Sequence, residues 1–179
     1  MKPSILLVDD EPGVLASLQR VLRLHLRDRA RFELFSDTRL ALLRAKEHAF
    51  DVVISDFRMP GQDGVAFLGE VHLIQPHAVP MIVSGAADAS TLMRAVNEAR
   101  VFRYILKPWN DSELVESVSA ALNHAHAQRE QRQLADAMRV QRGDLSTGEA
   151  ERRRLEAIEP GITHVNWGDN GEVLMPPLS

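Results

Sequence analysis

The chain has 179 residues, of which 45% are hydrophobic and 26% are charged, and this is the composition of an ordinary globular protein. Its 25 acidic and 21 basic residues leave a net charge of −4, which gives no sign of a direct nucleic-acid partner or of an anionic membrane surface. The sequence has no cysteine and no long apolar run, which excludes disulfides, cysteine-ligated metals and a membrane-spanning helix, and its first residues lack the apolar core that a signal peptide needs. We therefore expect a cytoplasmic protein.

Short apolar runs alternate with amphipathic stretches over the first 122 residues. The runs predict five strands, at residues 5–8, 31–35, 52–54, 81–83 and 101–106, with the second and the fifth nearer the edges of the sheet. Five predicted helices follow the strands in turn, beginning near Pro12 and after Asp37, Asp63, Asp88 and Asn110, which are residue types that favour helix N-termini. Because strict alternation is typical of α/β proteins, we expect a parallel sheet with helices on both faces.

Residues 124–159 form a predicted helical extension that is rich in charge and poor in large apolar side chains. A weak heptad pattern of three- and four-residue spacings runs through Gln131, Leu134, Met138, Gln141 and Leu145. Two interpretations stay open for this extension: a solvated helix, or a coiled coil that pairs two chains into a homodimer. We expect Gly143 and Gly148 to interrupt the helix.

Residues 160–179 predict a β-hairpin tail. Pro160 and Gly161 end the helical part, and two β-prone stretches, residues 162–167 and 172–175, flank a turn that contains Asn170 and Gly171. Two prolines follow the second stretch and stop it. We therefore interpret the tail as the end of a complete protein rather than of a fragment.

Polar residues stand at the ends of the predicted strands. Asp9 and Asp10 follow the first strand, and the third, fourth and fifth strands lead to Asp56, Ser84 and Lys107. Each residue alone is ordinarily a helix cap or a solvated side chain. Together they favour a site, because the carboxyl ends of parallel strands meet at one edge. Three carboxylates there would repel one another unless a hard cation such as Mg²⁺ lies between them, and the added hydroxyl and ammonium groups suit a phosphoryl group.

Four sequence strings resemble those of a known family. They are ILLVDDE at residues 5–11, DFRMPGQDG at 56–64, SG at 84–85 and YILKP at 104–108. In order and in spacing they are similar to a response-regulator receiver domain of the CheY-like kind, over roughly residues 1–123. The resemblance implies a flavodoxin-like fold of five βα units, with strand order 2-1-3-4-5.

The resemblance also implies the roles of the acidic residues. Asp56 matches the phosphoacceptor, which takes the phosphoryl group from a phosphohistidine of a sensor histidine kinase or of a phosphotransfer protein. Asp9 and Asp10 match the acidic pair that holds Mg²⁺, together with Asp56 and the backbone carbonyl of Arg58.

Three further residues match the switch machinery of the family. Ser84 matches the hydroxyl that hydrogen-bonds the phosphoryl group, and Lys107 matches the lysine that pairs with it. Tyr104 matches the aromatic residue that turns inward afterwards. The resemblance further implies a cis peptide bond between Lys107 and Pro108.

Three classes of function fit these observations. The favoured one is a switch that changes contacts with an unidentified downstream protein, and the alternative is a phosphate shuttle or sink in a phosphorelay. A magnesium-dependent aspartyl phosphatase is disfavoured, because that class begins with Asp-x-Asp whereas Asp9 and Asp10 are adjacent. We thus expect no enzyme activity beyond self-phosphorylation and autodephosphorylation.

Overall fold

The computed structural model describes residues 2–85 and 100–163 of the chain. Within them lies a parallel sheet in the order β2-β1-β3-β4-β5, as the resemblance implied. Its strands are β1 Ser4–Val8, β2 Arg31–Phe35, β3 Val52–Asp56, β4 Val79–Ser84 and β5 Arg103–Leu106. The described α-helices are α1 Pro12–Leu26, α2 Thr38–Glu47, α3 Gly64–Ile74, α4 Asp111–Arg142 and α5 Thr147–Glu156, and a short 3-10 helix, Arg27–Arg29, follows α1. The helix predicted after Asp88 and nearly all of the predicted hairpin lie outside the described residues.

Two apolar layers cover the sheet, one on each face. Successive residues of β1 alternate between them: Ile5 and Leu7 pack with α1 and α4, whereas Leu6 and Val8 pack with α2 and α3. The central strands β1 and β3 are therefore buried along their whole length, which explains the apolar runs at residues 5–8 and 52–54 within them. The edge strand β2 is only partly covered, in keeping with its alternating pattern.

Of the residues predicted to begin helices, those that the structure describes do so. The side chain of Asp37 accepts from the N–H of Arg39 at 2.8 Å, and that of Asp63 accepts from the N–H of Ala66 at 2.9 Å. Asn110 caps α4 in the same way, and Pro12 is the first residue of α1. These caps satisfy N–H groups that have no partner within the helix.

Strand limits differ slightly from the sequence expectation. Asp56 and Ser84 are the last residues of β3 and β4 instead of lying just beyond them, and β5 begins at Arg103 rather than at Val101. Before β5 begins, the N–H of Phe102 already donates to the carbonyl of Pro80 at 2.8 Å.

The extension consists of two helices joined by a turn. Gly143 ends α4 with a φ of +81°, as expected of a glycine in a left-handed C-cap. The expectation that Gly148 interrupts a helix is wrong, because it lies in the first turn of α5. Ser146 and Glu149 form a capping box there and satisfy the N–H groups of that turn.

The two helices of the extension contact each other. Arg153 on α5 donates to Asp136 on α4 at 3.2 Å, and Leu145 is buried in the turn between the helices. Leu145 therefore does not continue the heptad seam of Leu134 and Met138 along one helix. None of the described helices is both long enough and apolar enough to cross a membrane.

Candidate functional site

The carboxyl edge of the sheet gathers the residues that the sequence singled out. Asp9 follows β1, Asp56 and Ser84 end β3 and β4, and Lys107 follows β5. The backbone joins these ends directly: the N–H of Asp9 donates to the carbonyl of Phe35, and the N–H of Lys107 donates to that of Ser84 at 2.8 Å. Sheet register therefore determines which side chains meet.

Lys107 bridges two buried carboxylates. Its Nζ atom lies 2.7 Å from Oδ2 of Asp9 and 2.5 Å from Oδ1 of Asp56. The side chain of Lys107 is 18% exposed, and those of Asp9 and Asp56 are 2% and 7% exposed. Since a buried charge without a partner is costly, the ammonium is the group that makes both carboxylates tolerable here.

The charges of this triad perturb one another. Burial raises the pKa of Asp9, and it outweighs the hydrogen bonds from Lys107 and from the N–H of Glu11. Burial acts to lower the pKa of Lys107, but its hydrogen bonds to Asp56 and Asp9 are stronger together, so that its pKa is raised. Lys107 is therefore charged at neutral pH.

Both carboxylate oxygens of Asp56 are oriented by donors. Oδ1 faces Lys107, and Oδ2 accepts from the backbone N–H of Arg58 at 2.5 Å. The carbonyl of Asp56 in turn accepts from the hydroxyl of Ser55 at 2.8 Å. Ser55 is a positioning residue that the sequence reasoning missed, because a serine inside a buried strand carries no local signal of such a role.

Gly64 determines how closely α3 approaches Asp56. A Cβ atom on Gly64 would lie 2.0 Å from the carbonyl oxygen of Asp56, closer than any side chain tolerates. The N–H of Gly64 donates to the carbonyl of Phe57 at 2.8 Å and closes the loop after β3. The last glycine of the DFRMPGQDG string, Gly64, is thus a steric requirement of the site.

The remaining predicted residues surround the triad. Ser84 is buried beside it, whereas Asp10 is half-buried at the rim. Tyr104 is half-buried and packs on the apolar layer of α2 and α3. The Lys107–Pro108 peptide bond is cis, as the resemblance implied.

The chemistry of the acidic edge fits a Mg²⁺ ion. Within the described residues no three carboxylate or imidazole side chains converge on one point. Mg²⁺ does not require that, because it commonly takes one or two carboxylates and completes its octahedron with water and other oxygens. Asp9 and Asp56 supply two buried carboxylates, and Asp10 and the Arg58 carbonyl are the further oxygen donors next to them in the chain.

A cavity of about 610 Å³ opens beside this edge. It lies between the start of α1 and the loop after β5, and its lining includes Glu11, Val14, Lys107, Pro108 and Trp109. Lys107 therefore belongs both to the triad and to the lining of this cavity.

Comparison with known proteins points to one family. Residues 5–119 match the family model described as the response regulator receiver domain. The chain is 36% identical over 132 residues to the hydrogenase transcriptional regulatory protein HoxA of Bradyrhizobium diazoefficiens, covering 71% of this chain and 25% of that protein. It is 31% identical over 123 residues to the transcriptional regulatory protein ZraR of Escherichia coli K12, covering 69% and 27%. The chain thus spans about a quarter of the length of these relatives.

A solved structure agrees with the family match. The signal receiver domain of an HD domain-containing protein from Pseudomonas fluorescens Pf-5 superimposes with a TM-score of 0.67 at 32% identity. The superposition covers 72% of this chain and 93% of that one. The superposition therefore leaves more than a quarter of this chain unmatched.

Proposed function

The chain belongs to the response regulator receiver domain family, and we propose that it accepts a phosphoryl group on Asp56 and thereby switches its contacts with another protein. The observation that carries the proposal is the placement of Asp56. Its carboxylate is buried, is held by Lys107 and by the N–H of Arg58, and lies beside a second carboxylate, Asp9. An oriented, ionised carboxylate is the nucleophile that phosphoryl transfer needs.

The proposed donor is a phosphohistidine of a sensor histidine kinase or of a phosphotransfer protein. A carboxylate oxygen of Asp56 attacks phosphorus, the bond from phosphorus to the imidazole nitrogen breaks, and an aspartyl phosphate forms. When bound, Mg²⁺ held by Asp9, Asp10, Asp56 and the Arg58 carbonyl supplies positive charge to the transferring group. The donor approaches past the apolar rim formed by Val14, Pro108 and Trp109.

The new phosphoryl group changes the balance of charge around Lys107. In the unphosphorylated protein, the ammonium of Lys107 donates hydrogen bonds to both Asp9 and Asp56. In the phosphorylated protein it pairs with the phosphoryl oxygens, together with the hydroxyl of Ser84. Movement of Ser84 and Lys107 toward the phosphoryl group then lets Tyr104 turn inward. A coupling of about 1–3 kcal/mol is typical of such switches.

We further propose that residues 124–159 pair two chains. Leu134 and Met138 are 61% and 57% exposed, and they lie one turn apart on α4. Leu155, Ile158 and Ile162 also leave apolar surface uncovered on the second helix and just after it. A second copy of the chain would cover these side chains, and the downstream protein would meet the resulting cytoplasmic dimer.

The first prediction tests the acceptor. A small phosphodonor with Mg²⁺ should add one phosphoryl group to the wild-type protein, and Asp56→Asn should remove that addition because an amide is no nucleophile. Asp37→Asn is the matched control, because asparagine caps a helix as well as aspartate does. Intact-mass analysis measures the addition. Equal labelling of the Asp56→Asn variant would exclude Asp56 as the phosphoacceptor. A short phosphoryl lifetime, with transfer of the group back to a phosphotransfer protein, would favour the phosphate shuttle over the switch.

A further inference from the structure

A second cavity, of about 800 Å³, lies at the opposite edge of the sheet from Asp56. It is formed where α1 ends and β2 begins, and Arg31 at its rim pairs with Ser4 at the start of β1. The carboxyl ends of these strands are four residue steps away, which is about 13 Å along the sheet. The cavity is therefore separate from the proposed acceptor site.

Four cationic side chains line this cavity: Lys2, Arg23, Arg27 and Arg31. No carboxylate is among the lining residues that the structure describes. No acidic side chain that the structure describes forms an ion pair with any of the four. Because clustered like charges repel, this arrangement costs energy unless an anion neutralises it.

The negative end of a helix dipole explains only part of the cluster. Arg23 lies in the last turn of α1, and Arg27 follows its end, so both are placed where cations are favoured. Lys2 precedes β1 and Arg31 belongs to β2, so the dipole of α1 does not explain their positions. Three separate parts of the chain thus bring positive charge to one cavity in a protein whose net charge is −4.

Arg27 is also held in an unusual backbone conformation. It has a φ of +49°, which residues other than glycine seldom adopt. Its N–H donates to the carbonyl of Arg23 and closes the end of α1. Arg23 and Arg27, on either side of this bond, both line the cavity.

We propose that this cavity binds a small molecule that carries at least two phosphate groups. Three of the four cations are arginines, whose planar guanidinium groups bind oxyanions with two hydrogen bonds each. The volume lies within the range of about 300–1,000 Å³ that small-molecule sites occupy. Leu24, which is 71% exposed, and the half-buried Phe32 offer apolar surface to a ring attached to the phosphates. A nucleoside diphosphate has this combination of charge and ring.

Calorimetric titration of the full chain with ADP, AMP and pyrophosphate tests the proposal. EDTA is present so that no divalent cation carries phosphate to the acidic edge. We expect ADP and pyrophosphate to bind and AMP to bind about tenfold more weakly, since it offers one phosphate instead of two. Tighter binding of ADP than of pyrophosphate would show that the ring is recognised, and equal binding would show that the phosphates alone are.

Paired variants identify the site. Arg23→Gln/Arg31→Gln should raise the Kd for ADP by at least about tenfold. The control Arg20→Gln/Arg142→Gln removes the same charge from exposed helix positions outside the cavity and should change the Kd by less than about threefold. Circular dichroism melts confirm that both proteins are folded.

Three results would overturn the proposal. One is the absence of binding of ADP and of pyrophosphate to the wild-type chain at millimolar concentration. Another is a Kd for ADP that is unchanged in Arg23→Gln/Arg31→Gln, or that rises equally in the control Arg20→Gln/Arg142→Gln. The third is binding of tetraglutamate through Arg23 and Arg31 while both phosphate ligands fail, because the partner would then be an acidic protein segment.

Discussion

Gly64 shows how a single residue positions the acceptor. Its missing side chain lets the start of α3 reach the backbone carbonyl of Asp56. The carboxylate of the same residue is oriented by the N–H of Arg58 and by the ammonium of Lys107. The contact is with a backbone carbonyl, so the obstacle to a larger residue cannot rotate away. Close packing at this point therefore has a direct bearing on the geometry of the site.

Gly64→Ala should destabilise the protein and slow its phosphorylation. The added methyl group forces α3 away from β3, at a cost of about 1–3 kcal/mol or more. Gly69→Ala is the matched control in the same helix, because nothing lies within 4 Å of its Cβ position. That substitution should stabilise the protein by about 0.5–1 kcal/mol. Urea unfolding and the rate of labelling measure both effects, and equal stability of the two variants would contradict the steric argument.

Lys107 determines the charge state of the site at the same scale. Its one ammonium donates to two buried carboxyl groups, those of Asp9 and Asp56. In the proposed switch, a phosphoryl group on Asp56 adds negative charge beside this ammonium. One side chain thus links the unphosphorylated arrangement to the switch that we propose.

At the scale of elements, an ion pair holds the edge strand to its helix. Arg44 of α2 donates to both carboxylate oxygens of Glu33 on β2, at 2.7 and 3.0 Å. The hydrogen bonds from Arg44 lower the pKa of Glu33 below its ordinary value of 4.5. Because both side chains remain partly exposed, solvent screening limits the stabilisation to less than about 1 kcal/mol.

This pair predicts a dependence of stability on pH. A carboxyl group with a lowered pKa in the folded protein stabilises the fold above its unfolded value, and the stabilisation is lost as the pH falls through the folded value. Glu33→Gln should therefore lower the free energy of unfolding by about 0.5–1 kcal/mol at pH 7, and the difference should shrink below pH 4.5. Urea unfolding across that range measures it.

Glu47→Gln is the control for the ion pair. Glu47 is 71% exposed and lies 3.6 Å from Arg44, so its loss should change stability by less than about 0.5 kcal/mol at any pH. A constant difference between wild type and Glu33→Gln from pH 7 to acid would show that the pair contributes nothing through its charge.

The long helix α4 joins the receiver to the extension without a break. Ala125 is buried against the sheet, and Arg129 pairs with Asp51, whose second oxygen accepts from the N–H of Ser4 at 2.8 Å. The packing of the receiver thus continues beyond residue 123, where we placed its limit. The domain limits stay predictions, and a truncation that removes Arg129 would remove part of the receiver.

For the whole molecule, the extension predicts a dimer. The wild-type chain should be a dimer by light scattering at micromolar concentration, and Leu134→Glu/Met138→Glu should make it a monomer by placing charge in the apolar stripe. Gln133→Glu/Ala137→Glu adds the same charge to neighbouring exposed positions of α4 and should leave the dimer intact. A monomeric wild type, or an identical response of the two variants, would contradict the pairing.

Several features could be determined from the sequence because they depend on near neighbours. Apolar runs predicted the buried strands, and short-range rules predicted Asp37, Asp63 and Asn110 as helix caps. The motif strings implied the strand order, and with it the gathering of polar residues at one edge. These predictions are confirmed, and they could be made because periodicity, caps and motifs each depend on a few adjacent residues.

Only the tertiary structure decided how distant residues meet. The contacts of Lys107 join it to residues 98 and 51 positions away, and they depend on sheet register rather than on any local pattern. The same holds for the close approach of Gly64 to Asp56. Gly148 lies within a helix because Ser146 and Glu149 cap it, and Leu145 is buried because the extension folds back on itself. Local propensity is weak compared with such packing and capping, so the fold determines the outcome wherever the two disagree.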